Sequence, residues 1–469
     1  MKFNFHMQRI LAFILTVLLT LPIAAEPADT FATAIQQRLD ILMKDAMFRT
    51  SQVGLYVYDI TADAPVYEHD KLQRLRPASN MKIMTAVTAL STLGADYQLR
   101  THLYIDNLSF TPESAPEEFM PAIADPDEAD SIMSQARHAA VITIKGSMDP
   151  LLGPDDLRAF AQALRDRGIV DIKDDIILDA TFKDTIPAGW GWCWDDDNVP
   201  LTPFLYLGKA GLFETNLRRA LKDAGITFSG GFRHGLVRPE AQVIATRSHT
   251  IDQVLHTMMK VSDNLFAECL FYHLASKIGK AGTSSKDAAA KVSEFIRKIG
   301  HNPADYTIGD GSGLSLYNYL SAELLVDVLR YAHAHQDIYN HLLPSLPIMG
   351  RDGTLRSRCI GTSAQDRVHA KTGTVRGVSS LSGYATAPNG HLLAFAIINQ
   401  GISDSKTGRG FQDRVCQAIT RPLDRTSASS SNTSPAATPS SIEPDRLPEA
   451  SEDEANSPQE PEPEVQETF

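Results

Sequence analysis

The chain has 469 residues, of which 43% are apolar and 22% are charged, as in ordinary globular proteins. This length exceeds what one hydrophobic core usually supports, which excludes a small stapled module and predicts two or more domains. With 44 basic residues against 57 acidic ones, the formal charge is −13 and argues against a nucleic-acid-binding protein.

The four cysteines, Cys193, Cys269, Cys359 and Cys416, lie far apart and form no C-x-x-C pair. Their spacing gives neither a metal knuckle nor a dense disulfide framework. We interpret them as buried free thiols, with one or two long-range disulfides as the alternative.

The N-terminus has the pattern of a secretory signal peptide. Lys2 and Arg9 precede an apolar run over residues 10–21, and the segment 22–25 that follows ends in small residues before Glu26. A run of about a dozen residues is short of the ~20 that a spanning helix needs, so cleavage is favoured over a retained anchor. We expect a signal peptide at 1–25, no transmembrane span after cleavage, and a protein secreted across the cytoplasmic membrane into the periplasm or cell-envelope space.

The C-terminal segment 423–469 is rich in Ser, Pro and Glu and holds 11 acidic residues against 2 basic ones. Such a composition cannot bury a core, so the segment is predicted to be a disordered tail. We interpret it as a solubilising extension rather than a specific partner site.

The first elements of the folded body are a β-hairpin and a buried helix. Residues 53–60 and 65–67 are predicted strands joined by a turn at 61–64, at the edge of a sheet. Residues 81–93 are apolar nearly all round, which is typical of a helix inside a protein, and Ser79 stands at its start.

The middle of the chain changes character. Residues 106–138 hold eight acidic residues, one Arg and four prolines, and are predicted to form a surface excursion. A strand at 141–144, a helix at 155–167 and a strand at 172–178 follow. These elements predict a separate α/β insertion.

The later elements are helices at 251–259, 265–277 and 321–333, a hairpin of strands 377–387 and 391–399 around Pro388-Asn389-Gly390, and a helix at 411–419.

The first chemical motif is Ser79-Asn80-Met81-Lys82. Residues i and i+3 share a helix face, so the hydroxyl and the amine are neighbours. Burial favours the neutral form of Lys, and a neutral amine within hydrogen-bond reach can take the serine proton. A second copy, Ser403 to Lys406, lies among glycines and is interpreted as a solvated loop with no helix behind it.

The second motif, Ser262-Asp263-Asn264, lies between two predicted helices. There a serine and an amide two residues apart can project from a turn into a common cleft. The alternative is a plain helix cap, since all three residue types cap helices well.

The third motif, Lys371-Thr372-Gly373-Thr374, precedes the strand hairpin. Gly373 lets a ligand or another backbone approach closely, and Lys371 offers a charge for a carboxylate. The second K-T-G, which begins at Lys406, leads directly into the terminal helix and lacks a continuing strand.

The order S-x-x-K, S-D-N, K-T-G matches the active-site set of penicillin-binding proteins and serine β-lactamases. The first two motifs are 262 − 79 = 183 residues apart, which leaves room for an inserted domain that a compact β-lactamase lacks. The chain resembles the D-alanyl-D-alanine carboxypeptidase/endopeptidase family of the penicillin-binding protein 4 type over roughly residues 35–420. Supporting stretches are 149–152, 189–196, 310–315 and 349–355.

The sequence departs from the family pattern in two places. The acidic excursion at 106–138 is extra, and the stretch that the family usually has after the Trp-Asp-Asp signature is short before 216–225. One accessory subdomain is therefore expected to be reduced.

The resemblance implies an α/β fold of the α+β type. It consists of a β-lactamase/transpeptidase-like domain, with an antiparallel sheet flanked by helices, and an inserted α/β domain between the first two motifs. The expected parts are the transpeptidase-like domain at 26–105 and 245–422, the inserted accessory domain at 106–244, and the tail at 423–469.

The resemblance also implies roles for the motif residues. Ser79 attacks the carbonyl between two D-alanines, Lys82 takes its proton, and Ser262 relays that proton to the leaving amine. Asn264 holds the substrate amide, and the backbone N–H groups of Ser79 and Thr374 form the oxyanion hole.

Substrate recognition is implied in the same way. Lys371, Thr372 and Thr374 bind the terminal carboxylate. Asp149 contacts the free amine of the peptide's diamino acid, with a simple turn role beside Pro150 as the alternative. No metal or organic cofactor is expected. The expected partners are peptidoglycan stem peptides and cross-links, with β-lactam antibiotics as covalent inhibitors.

Two other functions stay open at this point. A β-lactamase would need an activating glutamate, and no E-x-x-L-N segment lies between the first two motifs. A penicillin-binding but catalytically idle cell-wall scaffold would use the tail and the insertion as partner surfaces. The sequence leaves open the oligomeric state, the diamino acid and the balance between carboxypeptidase and endopeptidase activity.

Overall fold

The computed structural model describes residues 28–107, 140–194, 196 and 198–423. The signal peptide at 1–25, nearly all of the acidic excursion and the tail from residue 424 lie outside the described residues, and the expectations for them stay predictions.

The helices of the described residues are numbered in chain order: α1 (Ala28–Leu42), α2 (Met81–Leu93), α3 (Pro154–Arg165), α4 (Phe213–Asp223), α5 (Ile251–Lys260), α6 (Asn264–Ser276), α7 (Ser285–Lys298), α8 (Ala322–Ala334), α9 (Gln336–Ser345) and α10 (Ser405–Thr420). Short 3₁₀ turns occur at Ala46–Arg49, Ala78–Asn80, Pro303–Asp305 and Gly353–Leu355.

The strands are β1 (Gln52–Asp59), β2 (Ala64–His69), β3 (Gln98–Asn107), β4 (Ala140–Lys145), β5 (Asp171–Ile172), β6 (Ile176–Asp179), β7 (Leu205–Tyr206), β8 (Lys209–Ala210), β9 (Thr227–Phe228), β10 (Phe232–His234), β11 (Gln242–Thr250), β12 (Val368–Val375), β13 (Val378–Thr386) and β14 (Leu392–Gln400).

The first sheet has the order β12-β13-β14-β1-β2 and is antiparallel throughout. One face packs against a cluster built mainly from α2, α5, α6 and α8. The opposite face packs against α1 and α10. Because both faces are covered, β1 and β14 are buried along most of their length, which is why the sequence reads there as continuous apolar runs.

The second sheet has the order β10-β6-β4-β3-β11. It is mixed, since β3 pairs antiparallel with β4 and β11, whereas β6 pairs parallel with β4 and β10. Together with α3 and α4 it encloses its own apolar cluster, which includes Leu103, Ile144, Phe160 and Leu217. These elements lie in the sequence between the first two motifs. The division into separate domains at 106–244 stays a prediction.

Most sequence-predicted elements are confirmed. The buried helix predicted at 81–93 coincides with α2, and the two predicted hairpins are β1–β2, with β2 at the sheet edge, and β13–β14. The strand predicted at 172–178 is wrong. It is two short strands, β5 and β6, in different sheets, because Lys173-Asp174-Asp175 interrupts the apolar run.

The assignment of the second S-x-x-K copy to a loop with no helix behind it is also wrong. The terminal helix α10 begins at Ser405, because the Asp404 carboxylate accepts the backbone N–H of Thr407 at 2.8 Å. Gly408 is buried in this helix, where a Cβ would come within 2.7 Å of Ser379 on β13. Glycine thus serves close packing here rather than flexibility.

All four cysteines are free thiols. Cys269 and Cys416 are buried and Cys359 is half-buried, whereas Cys193 is exposed. The prediction of free thiols is confirmed, and their burial is confirmed for two of the four.

No helix among the described residues is both long and apolar enough to cross a lipid bilayer.

A tight turn presents Ser79 at the start of α2. Ala78 adopts a positive φ of 46°, and Gly313 (φ +84°) packs directly against it. A Cβ on Gly313 would come within 1.8 Å of the Ala78 carbonyl oxygen. The turn therefore depends on glycine at residue 313.

We predict that Gly313→Ala lowers the free energy of unfolding by roughly 2 kcal/mol or more, because it adds a backbone clash to the cost of a positive φ. The matched control is Gly300→Ala, which has φ +92° but no atom within 4 Å of the added Cβ. Chemical denaturation of both variants measures the difference. Equal losses would show that the contact with Ala78 is unimportant.

Candidate active site

Ser79 and Lys82 meet at the start of α2. Ser79 lies in the 3₁₀ turn Ala78–Asn80, and Lys82 lies in the first turn of the helix. Lys82 Nζ is 3.0 Å from Ser79 Oγ. The hydroxyl is partly exposed, whereas the amine is completely buried. The arrangement places a hydroxyl on the solvent side with an amine behind it, which suits the predicted roles of nucleophile and base.

Three oxygens surround the buried amine. Besides Ser79, Lys82 Nζ lies 2.7 Å from Asn264 Oδ1 and 2.8 Å from the carbonyl oxygen of Ser312. Carbonyl-type oxygens only accept hydrogen bonds, so they take the two hydrogens of a neutral amine. The lone pair then faces the Ser79 hydroxyl, which can donate to it.

Burial lowers the pKa of Lys82 from 10.5 to about 8, against the opposing charges of Asp310, Glu268 and Asp263. Desolvation therefore dominates over the nearby carboxylates. A pKa near 8 makes the amine a usable base near neutral pH, since an ordinary lysine would be almost entirely protonated.

Glu268 lies beneath this site and was not singled out by the sequence analysis. It is buried, and its Oε1 accepts the backbone N–H groups of Gly311 and Ser312 at 3.0 and 2.8 Å. Burial raises the pKa of Glu268 to about 8, with Asp310 adding to the rise. The residue holds the loop that presents the Ser312 carbonyl to Lys82. A lone carboxylate one turn after Asn264 in an apolar helix was the signal that could have identified it.

Asp310 organises the same loop. Its Oδ2 accepts from the Ser312 hydroxyl, the Ser315 N–H and Trp192 Nε1 at 3.0, 2.7 and 2.9 Å. Its Oδ1 accepts from the Gly313 N–H and from an asparagine side chain, at 2.8 and 2.7 Å. The carboxylate is buried with five donors, so it fixes the conformation of residues 310–315.

Ser262 occupies a strained turn between α5 and α6. Its φ is +65°, a conformation that serine rarely adopts. Asp263 caps α6 by accepting the backbone N–H of Phe266 at 3.0 Å. The helix-cap alternative therefore holds for Asp263, while Asn264 faces Lys82 and Ser262 faces Lys371.

The third motif lies on the edge strand β12. Lys371 Nζ is buried and lies 2.7 Å from Ser262 Oγ and 2.8 Å from the carbonyl oxygen of Thr372. Burial holds the pKa of Lys371 well below its usual value, and the neighbouring Lys82 lowers it further. Thr372 is partly exposed and Thr374 is exposed. The strand therefore offers hydroxyls to the solvent side and an amine to the interior.

Gly373 allows β12 to approach the start of α2. A Cβ there would come within 2.2 Å of Ser380 Oγ and 2.8 Å of the Pro77 carbonyl oxygen. Ser380 Oγ donates to that carbonyl at 2.6 Å and accepts from Asn80 Nδ2 at 2.6 Å. The strand edge is thus fastened beside the turn that carries Ser79.

Asp149 forms its hydrogen bonds outside the cluster of motif side chains around Lys82 and Lys371. Its side chain has no exposed surface, and its Oδ1 accepts the Leu151 N–H at 3.0 Å while its Oδ2 lies 2.6 Å from His249 Nδ1. That hydrogen bond raises the pKa of His249. In this structure the carboxylate has the turn role that the sequence left as the alternative. Its contact with a substrate amine stays a prediction.

The second copies of the motifs do not join the site. Ser403 and Lys406 are exposed, and Lys406 lies in the first turn of α10. Asp404 between them serves as the cap of that helix.

The sequence matches the D-Ala-D-Ala carboxypeptidase 3 (S13) family over residues 35–111, 128–204 and 207–421. The chain belongs to this family. The unmatched residues 112–127 fall within the acidic excursion, which agrees with its being extra.

Individual relatives have the same activity in their names. The chain is 26% identical to a D-alanyl-D-alanine carboxypeptidase of Actinomadura sp. (strain R39), over 83% of this chain and 85% of that protein. It is 23% identical to the D-alanyl-D-alanine carboxypeptidase DacB of Haemophilus influenzae, over 76% and 88% of the two chains.

The fold agrees with the family assignment. The crystal structure of penicillin-binding protein 4 (dacB) from Haemophilus influenzae superposes with a TM-score of 0.66 at 20% identity, over 82% of this chain and 97% of that chain. The chain is therefore a D-Ala-D-Ala carboxypeptidase with the penicillin-binding protein 4 fold.

We predict that the rate of acylation by a β-lactam rises with pH through a midpoint near 8. Below that midpoint the Lys82 ammonium has no lone pair, so the rate should fall about tenfold per pH unit. Stopped-flow acylation between pH 5 and 9 measures it. A flat profile would contradict Lys82 as the base.

Glu268 titrates in the same range and supplies the control. Glu268→Gln retains an acceptor for the two backbone N–H groups but removes the negative charge that favours the ammonium. The midpoint should therefore move to lower pH while the pH dependence persists. Loss of the pH dependence in this variant would assign it to Glu268 instead.

Proposed function

We propose that the chain hydrolyses D-Ala-D-Ala peptides of peptidoglycan, as carboxypeptidase and endopeptidase, through an acyl-enzyme on Ser79. The observation that carries this proposal is the pair of contacts Lys82–Ser79 and Lys371–Ser262, at 3.0 and 2.7 Å. They provide a base for the nucleophile and a separate hydroxyl for the leaving group.

In acylation, Ser79 Oγ attacks the carbonyl carbon between the two D-alanines and Lys82 accepts its proton. Collapse of the tetrahedral intermediate breaks the C–N bond. Ser262 passes the proton that Lys82 took from Ser79 to the leaving nitrogen, so the amine leaves and Lys82 returns to its neutral form. Lys371 at 2.7 Å supports this relay because it holds the Ser262 hydroxyl in place.

Two groups are proposed to bind the acyl part of the substrate. Asn264 directs its Oδ1 to Lys82, so its amide N–H₂ is left to donate to the substrate peptide carbonyl. The backbone N–H groups of Ser79 and Thr374 are proposed to bind the oxyanion, which the close approach of β12 to the start of α2 supports.

The leaving D-alanine carries a carboxylate. We assign its recognition to the Thr372 and Thr374 hydroxyls with the Lys371 amine behind them. Lys371 has a lowered pKa because it is buried beside another amine. A carboxylate brought next to it favours the ammonium, so substrate binding itself restores the charge.

Deacylation consumes water. A water molecule attacks the carbonyl carbon of the Ser79 ester and gives a proton to the neutral Lys82. The ester C–O bond then breaks, Ser79 Oγ takes that proton back from Lys82, and the peptide leaves with a free carboxyl group. No other reactant is needed.

A location outside the cytoplasm is part of this proposal. It is supported by the signal-peptide pattern at 1–25 and by the cell-wall peptide that the site suits.

The function is tested with a purified stem pentapeptide that ends in D-Ala-D-Ala. The enzyme should release one D-alanine for each pentapeptide consumed and should do so over many turnovers. The Ser79→Ala variant should release none. Stoichiometric penicillin binding without D-alanine release would instead support the idle scaffold.

The assignment of the third motif predicts unequal effects for two lysines. Lys371→Ala should lower kcat/KM for the pentapeptide about ten- to a hundredfold, because it removes a charge-assisted contact and the partner of Ser262. Lys406→Ala removes an exposed charge and should change it less than about twofold. Steady-state kinetics on both variants provides the comparison, and the reverse ranking would place the active-site strand elsewhere.

A further inference from the structure

A pocket of 690 Å³ lies between one face of α4 and the segment of residues 225–228, which includes β9. The helix contributes Thr215, Arg218, Arg219 and Lys222 to its lining. Residues three or four apart on a helix are neighbours, so these side chains lie on the same side of α4. This α4 pocket contains none of the motif residues, and the proposed reaction uses none of its side chains.

The α4 pocket is lined by three cations, and no carboxylate lines it among the residues that the structure describes. Within those residues, Arg218, Arg219 and Lys222 also form no ion pair. Three positive charges without partners stand out in a chain whose formal charge is −13. Like charges held close together repel each other, so an anion bound among them is attracted by all three.

Acidic residues near the pocket in the sequence or in strand pairing do not neutralise it. Glu214 and Asp223 lie on α4 beside the cations, but both are exposed and neither lines the pocket. Asp171, which is opposite Thr227 in the β5–β9 pair, lies 3.7 Å from Lys173. The positive charge of the pocket is therefore left for a ligand.

Arg218 is held in place by neutral groups. Its Nη1 and Nη2 donate to the carbonyl oxygens of Phe228 and Gly230, both at 3.0 Å. Its guanidinium carbon lies 4.3 Å from the centre of the Phe228 ring, as in a cation–π contact. Carbonyl oxygens and an aromatic ring position a guanidinium without cancelling its charge. The pocket therefore contains a fixed positive charge, and a ligand that binds there need not order this side chain.

The other polar groups of the pocket are donors that a ligand can use. Arg219 makes one hydrogen bond, from Nη1 to Asn216 Oδ1 at 3.2 Å, which leaves most of its N–H groups. The Lys222 amine and the hydroxyls of Thr215 and Thr227 form no hydrogen bond within the described part of the chain. A carboxylate offers two oxygens to such donors, whereas a phosphate monoester offers three and carries up to about two negative charges. Three cations and two hydroxyls therefore suit a phosphate monoester better than a carboxylate.

We propose that the α4 pocket binds a phosphate monoester group, whose terminal oxygens accept hydrogen bonds from Arg219, Lys222 and the two threonine hydroxyls. Arg218 adds a fixed charge beside them. The group belongs to a soluble phosphate ester or to the headgroup of an anionic lipid such as phosphatidic acid, since both present the same three oxygens. The site is a second binding surface of the enzyme and does not depend on the proposed peptide hydrolysis.

The first test is calorimetric titration of the full chain with inorganic phosphate, at an ionic strength held constant with sodium chloride. The Arg219→Ala/Lys222→Ala double variant should raise the Kd at least about tenfold, because it removes two charge-assisted contacts and leaves Arg218 in place. The matched control is Lys406→Ala/Arg409→Ala, which also removes two exposed cations three residues apart on a helix. The control should change the Kd less than about twofold, and acetate should show no saturable binding.

The second test identifies the source of the phosphate. Vesicles of equal parts phosphatidylcholine and phosphatidic acid are sedimented with the protein and compared with vesicles of phosphatidylcholine alone. Sedimentation that needs phosphatidic acid and is lost in the α4 double variant, but not in the control, assigns the site to a lipid headgroup. Binding of inorganic phosphate without sedimentation assigns it to a soluble ester.

Two results would overturn the proposal. One is the absence of saturable binding to both inorganic phosphate and the phosphatidic acid vesicles. The other is an equal loss in the two double variants, which would show only a general attraction between charges. Hydrolysis of the pentapeptide should be the same in the α4 double variant as in the wild type, so a failure of this site is distinct from a failure of the proposed function. If the double variant does not fold, Lys222→Ala replaces it, because that amine has no partner within the described residues.

Discussion

The site depends on one constraint, the exclusion of water from the Lys82 amine. A buried ammonium ion without hydration has a high free energy. In the neutral form, both N–H groups of the amine are already hydrogen-bonded, to Asn264 Oδ1 and to the carbonyl oxygen of Ser312. The helix α2 lies inside the protein because its sequence is apolar nearly all round, and this burial favours the neutral amine that the proposed role of Lys82 as base requires. The same turn leaves Ser79 partly exposed, so the proposed reacting pair spans the boundary between core and solvent.

Burial and nearby carboxylates together set the pKa of the Lys82 amine. Burial alone lowers the pKa of Lys82, and the carboxylates of Asp310 and Glu268 oppose it, which leaves the pKa at about 8. Both carboxylates are themselves held by backbone N–H groups of the 310–315 loop. The loop therefore has two effects, since it fixes the Ser312 carbonyl against the amine and positions the negative charges that limit the pKa shift.

The elements that carry the motifs could be predicted because their sequence signals are local. The apolar run at 81–93 gave the boundaries of α2, and the i, i+3 spacing gave the Ser79–Lys82 contact. Glu268 could not be assigned a role, because its partners lie more than forty residues away on another loop. The burial of Asp149 against His249 and the early start of α10 at Ser405, which Asp404 caps, likewise depend on side-chain contacts that periodicity does not show.

The central claim is that Ser79 is the nucleophile and that Lys82 activates it. Peptide mapping by mass spectrometry after exposure of the folded protein to benzylpenicillin tests it directly. We expect one adduct, on the peptide that contains Ser79, and its absence in a folded Lys82→Ala variant. An adduct on the peptide that contains Ser403, or equal labelling of the Lys82→Ala variant, would contradict it.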